Sequence, residues 1–176
     1  MHVRNLRHAA LMLSAACIAA ATQAQAPATP NPLDAVPEKM PFDVPYGAPI
    51  SLDRAEAAIQ AAVAEAKRRD WKLNVAVVDS GGNLVAFQRM DGAQLGSIQI
   101  SQAKAHSSAI LRRETKAFEG GIQAGNNYLI TLPGVIASRG GIPLVENGKL
   151  VGAIGCSGAT GSQDEVACKV GAATVK

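Results

Sequence analysis

Two tight turns, each next to an apolar run, most constrain how this chain can fold. Asn147-Gly148 separates the runs 142–145 and 149–155, and Asn-Gly between apolar runs is a strong signal for a β-hairpin. Ser80-Gly81-Gly82-Asn83 follows the β-branched run 73–79 and supplies the positive-φ positions that a second hairpin needs. Strands joined by such turns are antiparallel, so the chain must contain an antiparallel sheet.

A first helix is predicted just before these strands, starting after Ser51 as the N-cap and ending near Lys67. Three- and four-residue spacing gives it one apolar face. That face consists of Ala55, Ala58, Ile59, Ala62, Val63 and Ala66. So many alanines indicate close packing on a sheet or another helix.

A second helix is predicted from Ser97 to about Arg113. We expect one polar stripe and one apolar side. The polar stripe contains Gln99, Gln102, His106 and Arg113, and the apolar side contains Ile100, Ala103, Ile110 and Leu111.

Two further helices complete the pattern. Residues 118–128 predict a shorter helix interrupted by glycines, and Ser162 with Glu165 predicts a capping box that starts the last helix. The order of helices and hairpins predicts an α/β (α+β) fold, with helices packed on an antiparallel sheet.

The first 24 residues have the pattern of a secretory signal peptide. Arg4 and Arg7 precede the apolar run 9–21, which is short for a bilayer span, and Thr22-Gln23-Ala24 is the expected cleavage site. We therefore expect a periplasmic or secreted protein with no stable membrane span after processing. A lipoprotein acylated at Cys17 and a retained anchor helix are the alternatives.

A proline-rich stretch follows the signal segment. Seven of the nine prolines lie between Pro27 and Pro49, a density that excludes helix and central strand. We interpret residues 25–48 as an extended tether and residues 49–176 as one domain.

The charge balance argues against nucleic-acid binding. Removal of Arg4 and Arg7 leaves 15 basic and 14 acidic residues, a net charge of +1. The six aromatic residues do not interleave with a basic run.

Several motifs, in order, resemble one family. VVDSGGNLVAFQRMDGA, Lys104-Ala105, GGIPL, NGKLVGAIGCSG and QDE are similar to the GlcG/HbpS family of haem-binding proteins, to which the C-terminal domain of the corrinoid adenosyltransferase PduO is related. The likeness covers about residues 46–175. It implies a profilin- or PAS-like fold with about five antiparallel strands flanked by helices, a ring-like homo-oligomer, and haem or a related tetrapyrrole as ligand.

A haem ligand makes His106 the first candidate for an axial residue, because it is the only histidine after residue 24. The alternative is a solvent-facing residue bonded to Gln102 or Arg113. Met90, Tyr128 and Tyr46 are weaker candidates for the iron.

Three cations are candidates for the haem propionates or for another carboxylate ligand, because charge-assisted hydrogen bonds hold carboxylates well. They are Arg89, Lys104 and Arg113. Ordinary surface ion pairing is the alternative for each.

Cys156 and Cys168 are the only cysteines after the signal segment. An even number in an exported chain fits a disulfide, and two buried thiols are the alternative. A zinc site lacks a CxxC motif or a histidine pair.

No catalytic residue is predicted. Gly155 to Ala159 resembles GxSxG but lacks the last glycine, while a nucleophilic Cys156 beside His106 stays open. We expect an exported, oligomeric protein that binds haem for uptake, storage or sensing. The alternatives are an enzyme that acts on a small organic acid or degrades haem, and an accessory partner protein.

Overall fold

The computed structural model describes residues 35–40 and 42–176, and Lys39–Lys176 form one compact unit. The predicted signal peptide and the first part of the tether lie outside the described residues. The elements are α1 (Leu52–Arg68), β1 (Asn74–Asp79), β2 (Leu84–Arg89), α2 (Ser97–Ile110), α3 (Lys116–Gln123), a 3-10 helix (Asn127–Thr131), β3 (Gly141–Glu146), β4 (Lys149–Ser157) and α4 (Gly161–Ala172).

The strands form one antiparallel sheet in the order β2-β1-β4-β3. Both predicted hairpins are present, and the predicted fold class, an antiparallel sheet flanked by helices, is confirmed. β1 is central, and its residues 75–78 are buried on both faces as expected. The expected count of about five strands was too high, because the sheet has four strands within the described residues.

A strap formed by residues 42–50 lies beside the first residues of β4. Beyond the pair Asp79 and Gly152, β1 has ended and leaves one edge of β4 open. There the Leu150 N–H donates to the Pro45 carbonyl at 2.8 Å, and the Gly47 N–H donates to the Leu150 carbonyl at 2.7 Å. These bonds make only one parallel bridge, between Tyr46 and Leu150, so no strand results.

Helices cover both faces of the sheet. α1 and α4 lie on one face, and the whole predicted apolar face of α1 is buried, which confirms it. Close approach explains the small residues, since a side chain at Gly171 of α4 would come within 2.6 Å of the Ala58 carbonyl oxygen. Ser51 is the N-cap residue of α1, but its side chain makes no capping hydrogen bond.

α2 covers the other face, and the prediction for its buried side was wrong. Ile100 and Ala103 are exposed, and its buried residues are serines, alanines and Lys104. The reason lies in the sheet: Gly141 and Gly155 bring the strand backbone so near to α2 that a Cβ on either glycine would clash with the helix backbone. Only small side chains fit such a contact.

The ends of three helices also differ from the prediction. α2 stops at Ile110, because Arg112 takes a positive φ of 53°. The predicted helix 118–128 is instead α3 followed by the 3-10 helix, and the break comes at Gly125, whose φ is 92°.

The capping box of α4 lies two residues before the predicted one. Thr160 is the N-cap, its hydroxyl accepts from the Gln163 N–H, and the Gln163 side chain accepts from the Thr160 N–H at 3.0 Å. Ser162 lies within the first turn, and Glu165 forms ion pairs with lysines instead. Within residues 35–40 and 42–176, no helix combines the length and the apolar character needed to cross a membrane.

Candidate ligand-binding site

The predicted site residues do not converge on one place. His106 lies on α2 beside the β1–β2 turn, whereas Arg89 and Met90 lie at the far end of β2. A six-residue strand separates these two positions by about 17 Å. His106 and the pair Arg89 and Met90 therefore lie near opposite ends of β2.

His106 is exposed, and its orientation is defined by the β1–β2 turn. Its Nδ1 lies 3.0 Å from the Gly82 carbonyl oxygen. Because a carbonyl oxygen only accepts hydrogen bonds, a neutral His106 must carry its proton on Nδ1. Its Nε2 then keeps a lone pair, which is the arrangement found in metal-ligating histidines.

Two glycines flank the imidazole. A Cβ on Gly82 would lie 2.6 Å from Nδ1, and a Cβ on Gly134 would lie 3.9 Å from Nε2. Both glycines have a positive φ, 84° and 77°, which favours glycine at each position. From the sequence, Gly82 was predicted only to be a turn residue, and Gly134 was not identified.

Exposed apolar residues lie close in sequence to both glycines. Leu84 follows Gly82 by two residues and is 52% exposed, while Leu132 precedes Gly134 by two residues and is 42% exposed. Ile130, in the 3-10 helix, is 72% exposed. A planar apolar ligand at His106 would cover surface of this kind.

Arg113 packs against Phe42 of the strap. Its guanidinium carbon lies 3.1 Å from the centroid of the Phe42 ring and 5.0 Å from that of Phe118. Burial lowers the pKa of Arg113. No carboxylate in the described part of the chain pairs with it, and its aromatic neighbours leave it poorly placed to receive a propionate.

Lys104 is part of the protein interior. It is 1% exposed, its Nζ lies 2.9 Å from Asp164 Oδ2, and it donates to the Cys156 carbonyl at 3.2 Å. Burial raises the pKa of Asp164, while Lys104 and the Ala159 N–H act in the opposite direction. Lys104 therefore joins α2 to α4 and β4 and does not face a surface ligand.

The weaker candidates for the iron differ in accessibility. Met90 is 9% exposed, and its sulfur accepts from the Leu73 N–H at 3.4 Å. The Tyr46 hydroxyl donates to the Ile110 carbonyl at 2.8 Å. Tyr128 is 51% exposed. Tyr46 is 49% exposed, but its hydroxyl is turned toward the Ile110 carbonyl. His106 is exposed, and its hydrogen bond to the Gly82 carbonyl leaves the Nε2 lone pair available.

Cys156 and Cys168 form a disulfide with an S–S distance of 2.12 Å. Both residues are fully buried, so the bond joins β4 to α4 inside the core. In the described part of the chain, no three His, Cys, Asp or Glu residues are grouped so as to hold a metal ion.

Comparison with known proteins identifies the family. The family model described as "Haem degrading protein HbpS-like" matches residues 50–173. The chain belongs to the HbpS-like family. GlcG of Escherichia coli K12 is 40% identical over 108 residues, which cover 61% of this chain and 81% of that protein.

Solved structures of HbpS-like proteins share the fold. A double mutant of HbpS from Streptomyces reticuli is 29% identical, with a TM-score of 0.69 over 81% of this chain and 97% of that one. A complex of PduOC with haem is 24% identical, with a TM-score of 0.66 over 73% of this chain and 96% of that one. At that identity the PduOC likeness concerns the fold alone.

Asp164 is the main residue of the HbpS-like domain that sequence reasoning missed. No partner for Asp164 was predicted, because Lys104 lies 60 residues earlier in the chain. The signal that could have found the pair is a lysine among serines and alanines on a helix side that packs against glycines.

Proposed function

We propose that the protein binds haem at the surface of α2, with His106 Nε2 as the axial ligand. The observation that carries the proposal is the hydrogen-bond geometry of His106, whose Nδ1 lies 3.0 Å from the Gly82 carbonyl oxygen. A ligand histidine oriented in this way needs no rearrangement before it binds iron. The family description, which names haem, supports the same ligand.

The residues close in sequence to the two glycines beside His106 fit the group. Leu84, Ile130 and Leu132 offer exposed apolar side chains for a porphyrin face. Gly134 adds no side chain beside Nε2. Haem would supply an iron centre for ligand exchange or electron transfer, and the protein would bind and orient it.

Haemin titration of the purified full-length protein tests this proposal. We expect a Soret band that saturates at a fixed ratio and is lost or strongly shifted in His106→Ala. Gln102→Ala is the matched control on the same helix, because the Gln102 side chain bonds the Ile98 carbonyl of its own helix. An unchanged Soret band and affinity in His106→Ala would refute the proposal.

A variant of Gly82, whose carbonyl oxygen bonds His106, makes the test more specific. In Gly82→Ala, the added Cβ would lie 2.6 Å from His106 Nδ1 and would also strain a backbone with φ of 84°. We expect a loss of haem affinity of about tenfold or more, as for other changes to groups that hydrogen-bond to a metal ligand. The melting temperature, measured in parallel, separates this effect from a general loss of stability.

The family description favours haem degradation as a second candidate function. Loss of the Soret band under oxygen and a reductant, with release of iron and an open-chain product, would support it. A bound haem that stays intact for many hours under the same conditions would leave binding as the function. Turnover of a small organic acid by the haem-free protein would instead support the other enzymatic alternative.

We also propose export and self-association. Cleavage after Ala24 and a disulfide between Cys156 and Cys168 would fit an oxidising compartment. Mass spectrometry of protein from the periplasm or the medium checks the new N-terminus, and light scattering of that material gives the subunit number. A chain that keeps residues 1–24 or that is monomeric would contradict the corresponding part.

A further inference from the structure

A basic cleft lies at the end of β2, far from His106. Its lining residues are Lys67, Lys72, Gln88, Arg89, Met90 and Asp91, and its volume is about 370 Å³. Three cations against Asp91 give the lining a formal charge of +2. The cleft therefore combines the size of a small-molecule site with an excess of positive charge.

Two of the three cations in the cleft lack partners among the described residues. Eight of the fifteen lysines and arginines in the described part are paired with a carboxylate. The paired cations are Arg54, Arg68, Arg69, Lys72, Lys104, Lys116, Arg139 and Lys169. Lys67 and Arg89 both line the cleft. Neither has an ion pair or a side-chain hydrogen bond with any residue in the described part of the chain.

The third cation is only weakly engaged. Lys72 pairs with Asp70, whose side chain is 90% exposed, so water screens the pair. Asp70 does not line the cleft. Lys72 can therefore interact with a bound anion at little cost.

Hydrogen bonds between Leu73 and Met90 hold together the two segments that carry Lys72 and Arg89. The Met90 N–H donates to the Leu73 carbonyl at 3.0 Å, and the Leu73 N–H donates to the Met90 sulfur at 3.4 Å. Lys72 and Arg89 directly precede Leu73 and Met90 in sequence, so these bonds keep both residues at the same end of the sheet, where they line the cleft. Met90 itself adds an apolar part to the lining.

The end of α1 does not oppose an anion strongly. Carbonyls of its last turn carry the negative end of the helix dipole. The Ala66 carbonyl, however, accepts from the Arg69 and Trp71 N–H groups, and the Lys67 carbonyl accepts from the Asp70 N–H. These bonds satisfy the carbonyls, and the Lys67 side chain adds positive charge in the same turn.

We propose that this cleft binds a small organic anion through a carboxylate or phosphate group. The planar guanidinium of Arg89 can donate hydrogen bonds to two oxygens of the anion at once. Lys67 and Lys72 contribute positive charge without this directional pairing. The site is distinct from the His106 surface, and it gives Arg89 and Met90 a shared ligand other than haem.

Trp71 offers a direct test, because it is the only tryptophan and precedes Lys72. Full-length protein is titrated with succinate, inorganic phosphate or neutral succinamide at constant ionic strength, with tryptophan fluorescence and calorimetry as readouts. We expect saturable binding of at least one of the two anions and none of succinamide. The tighter of the two anions identifies the preferred group.

Charge variants decide whether the cleft is the site. Arg89→Gln and Lys67→Gln are expected to weaken binding about tenfold or more, and Arg89→Lys to weaken it by losing the paired hydrogen bonds. Lys149→Gln is the matched control, because Lys149 is also exposed and has no ion pair in the described part. His106→Ala should bind the anion normally, and Arg89→Gln should keep the Soret band, so the two proposals fail separately.

Two results would overturn the anion site. One is the absence of saturation by either anion in the parent protein. The other is an equal loss of affinity in Lys149→Gln and Arg89→Gln, which would show general surface charge instead of a built cleft. Melting temperatures within a few degrees of the parent would show that the four charge variants and His106→Ala are folded.

Discussion

Lys104 on α2 and Asp164 on α4 form an ion pair of 2.9 Å in which both side chains are almost completely buried. The two helices lie on opposite faces of the sheet, and the pair reaches around the ends of β3 and β4, where the Cys156 carbonyl accepts from the same Nζ. A Cβ on Gly140 would lie 3.2 Å from this Nζ. The backbone at these strand ends therefore covers the pair and keeps water away from it.

Breaking this pair should destabilise the domain strongly. Lys104→Met leaves Asp164 buried without its cation, and we expect a loss of about 3–5 kcal/mol in the free energy of unfolding. Urea denaturation measures it. Lys116→Met removes a pair with Glu165 in which the lysine is 50% exposed, and it should cost about 1 kcal/mol or less. The double variant Lys104→Met/Asp164→Leu should recover part of the loss, and no recovery would argue against an unpaired buried charge as its cause.

The disulfide should add stability through the unfolded state. Cys156 and Cys168 close a loop with a sequence separation of 12, for which the chain-entropy relation gives about 3 kcal/mol. We expect Cys156→Ala/Cys168→Ala to unfold at lower urea concentration than the oxidised parent. A reducing agent should lower the midpoint of the parent and leave that of the variant unchanged. Equal sensitivity of both proteins to the reductant would contradict the bond.

Local patterns predicted the hairpins and the buried face of α1, because turn chemistry and helical spacing act over a few residues. The buried face of α2 was not predictable in this way. Its serines and Lys104 are buried because Gly141 and Gly155, on distant strands, admit the helix backbone. Ile100 is left exposed for the same reason.

The candidate site shows the same division. His106 was identified from composition, since it is the only histidine after the signal segment. The Gly82 carbonyl that orients it became evident only when α2 was placed beside the β1–β2 turn. Arg113 was predicted to bind a carboxylate, but Phe42 from the strap and Phe118 from α3 enclose it. Such contacts depend on the tertiary arrangement.

Glycine substitutions test the close approach of α2 to the sheet. A Cβ on Gly155 would clash with the Ser101 carbonyl and would lie 2.6 Å from the Ala105 backbone nitrogen. We expect Gly155→Ala to cost about 1–3 kcal/mol of stability, as overpacking does. Gly120→Ala is the matched control, because nothing lies within 4 Å of its Cβ position in α3, and it should be neutral or stabilising by up to about 1 kcal/mol. Thermal denaturation of both variants checks the contrast, and a neutral Gly155→Ala would mean that α2 can move away from β4.

Glu65 should give the domain a pH-dependent increment of stability. Its carboxylate accepts hydrogen bonds from Arg68 at 2.8 and 2.9 Å and from Arg69 at 2.5 Å. These hydrogen bonds, to which Arg68 contributes most, lower the pKa of Glu65 from 4.5 to about 2. Because the folded pKa lies below the unfolded one, the increment is fully present above about pH 4.5 and is lost as the pH falls toward 2. We therefore expect Glu65→Gln to melt below the parent at pH 7 and close to it near pH 2. Salt should reduce the difference at pH 7, because the group is close to solvent.

Glu56→Gln, on the same helix and without an ion pair in the described part of the chain, should show no such convergence. A difference between Glu65→Gln and the parent that is as large near pH 2 as at pH 7 would show that packing, not charge, is the origin of the effect.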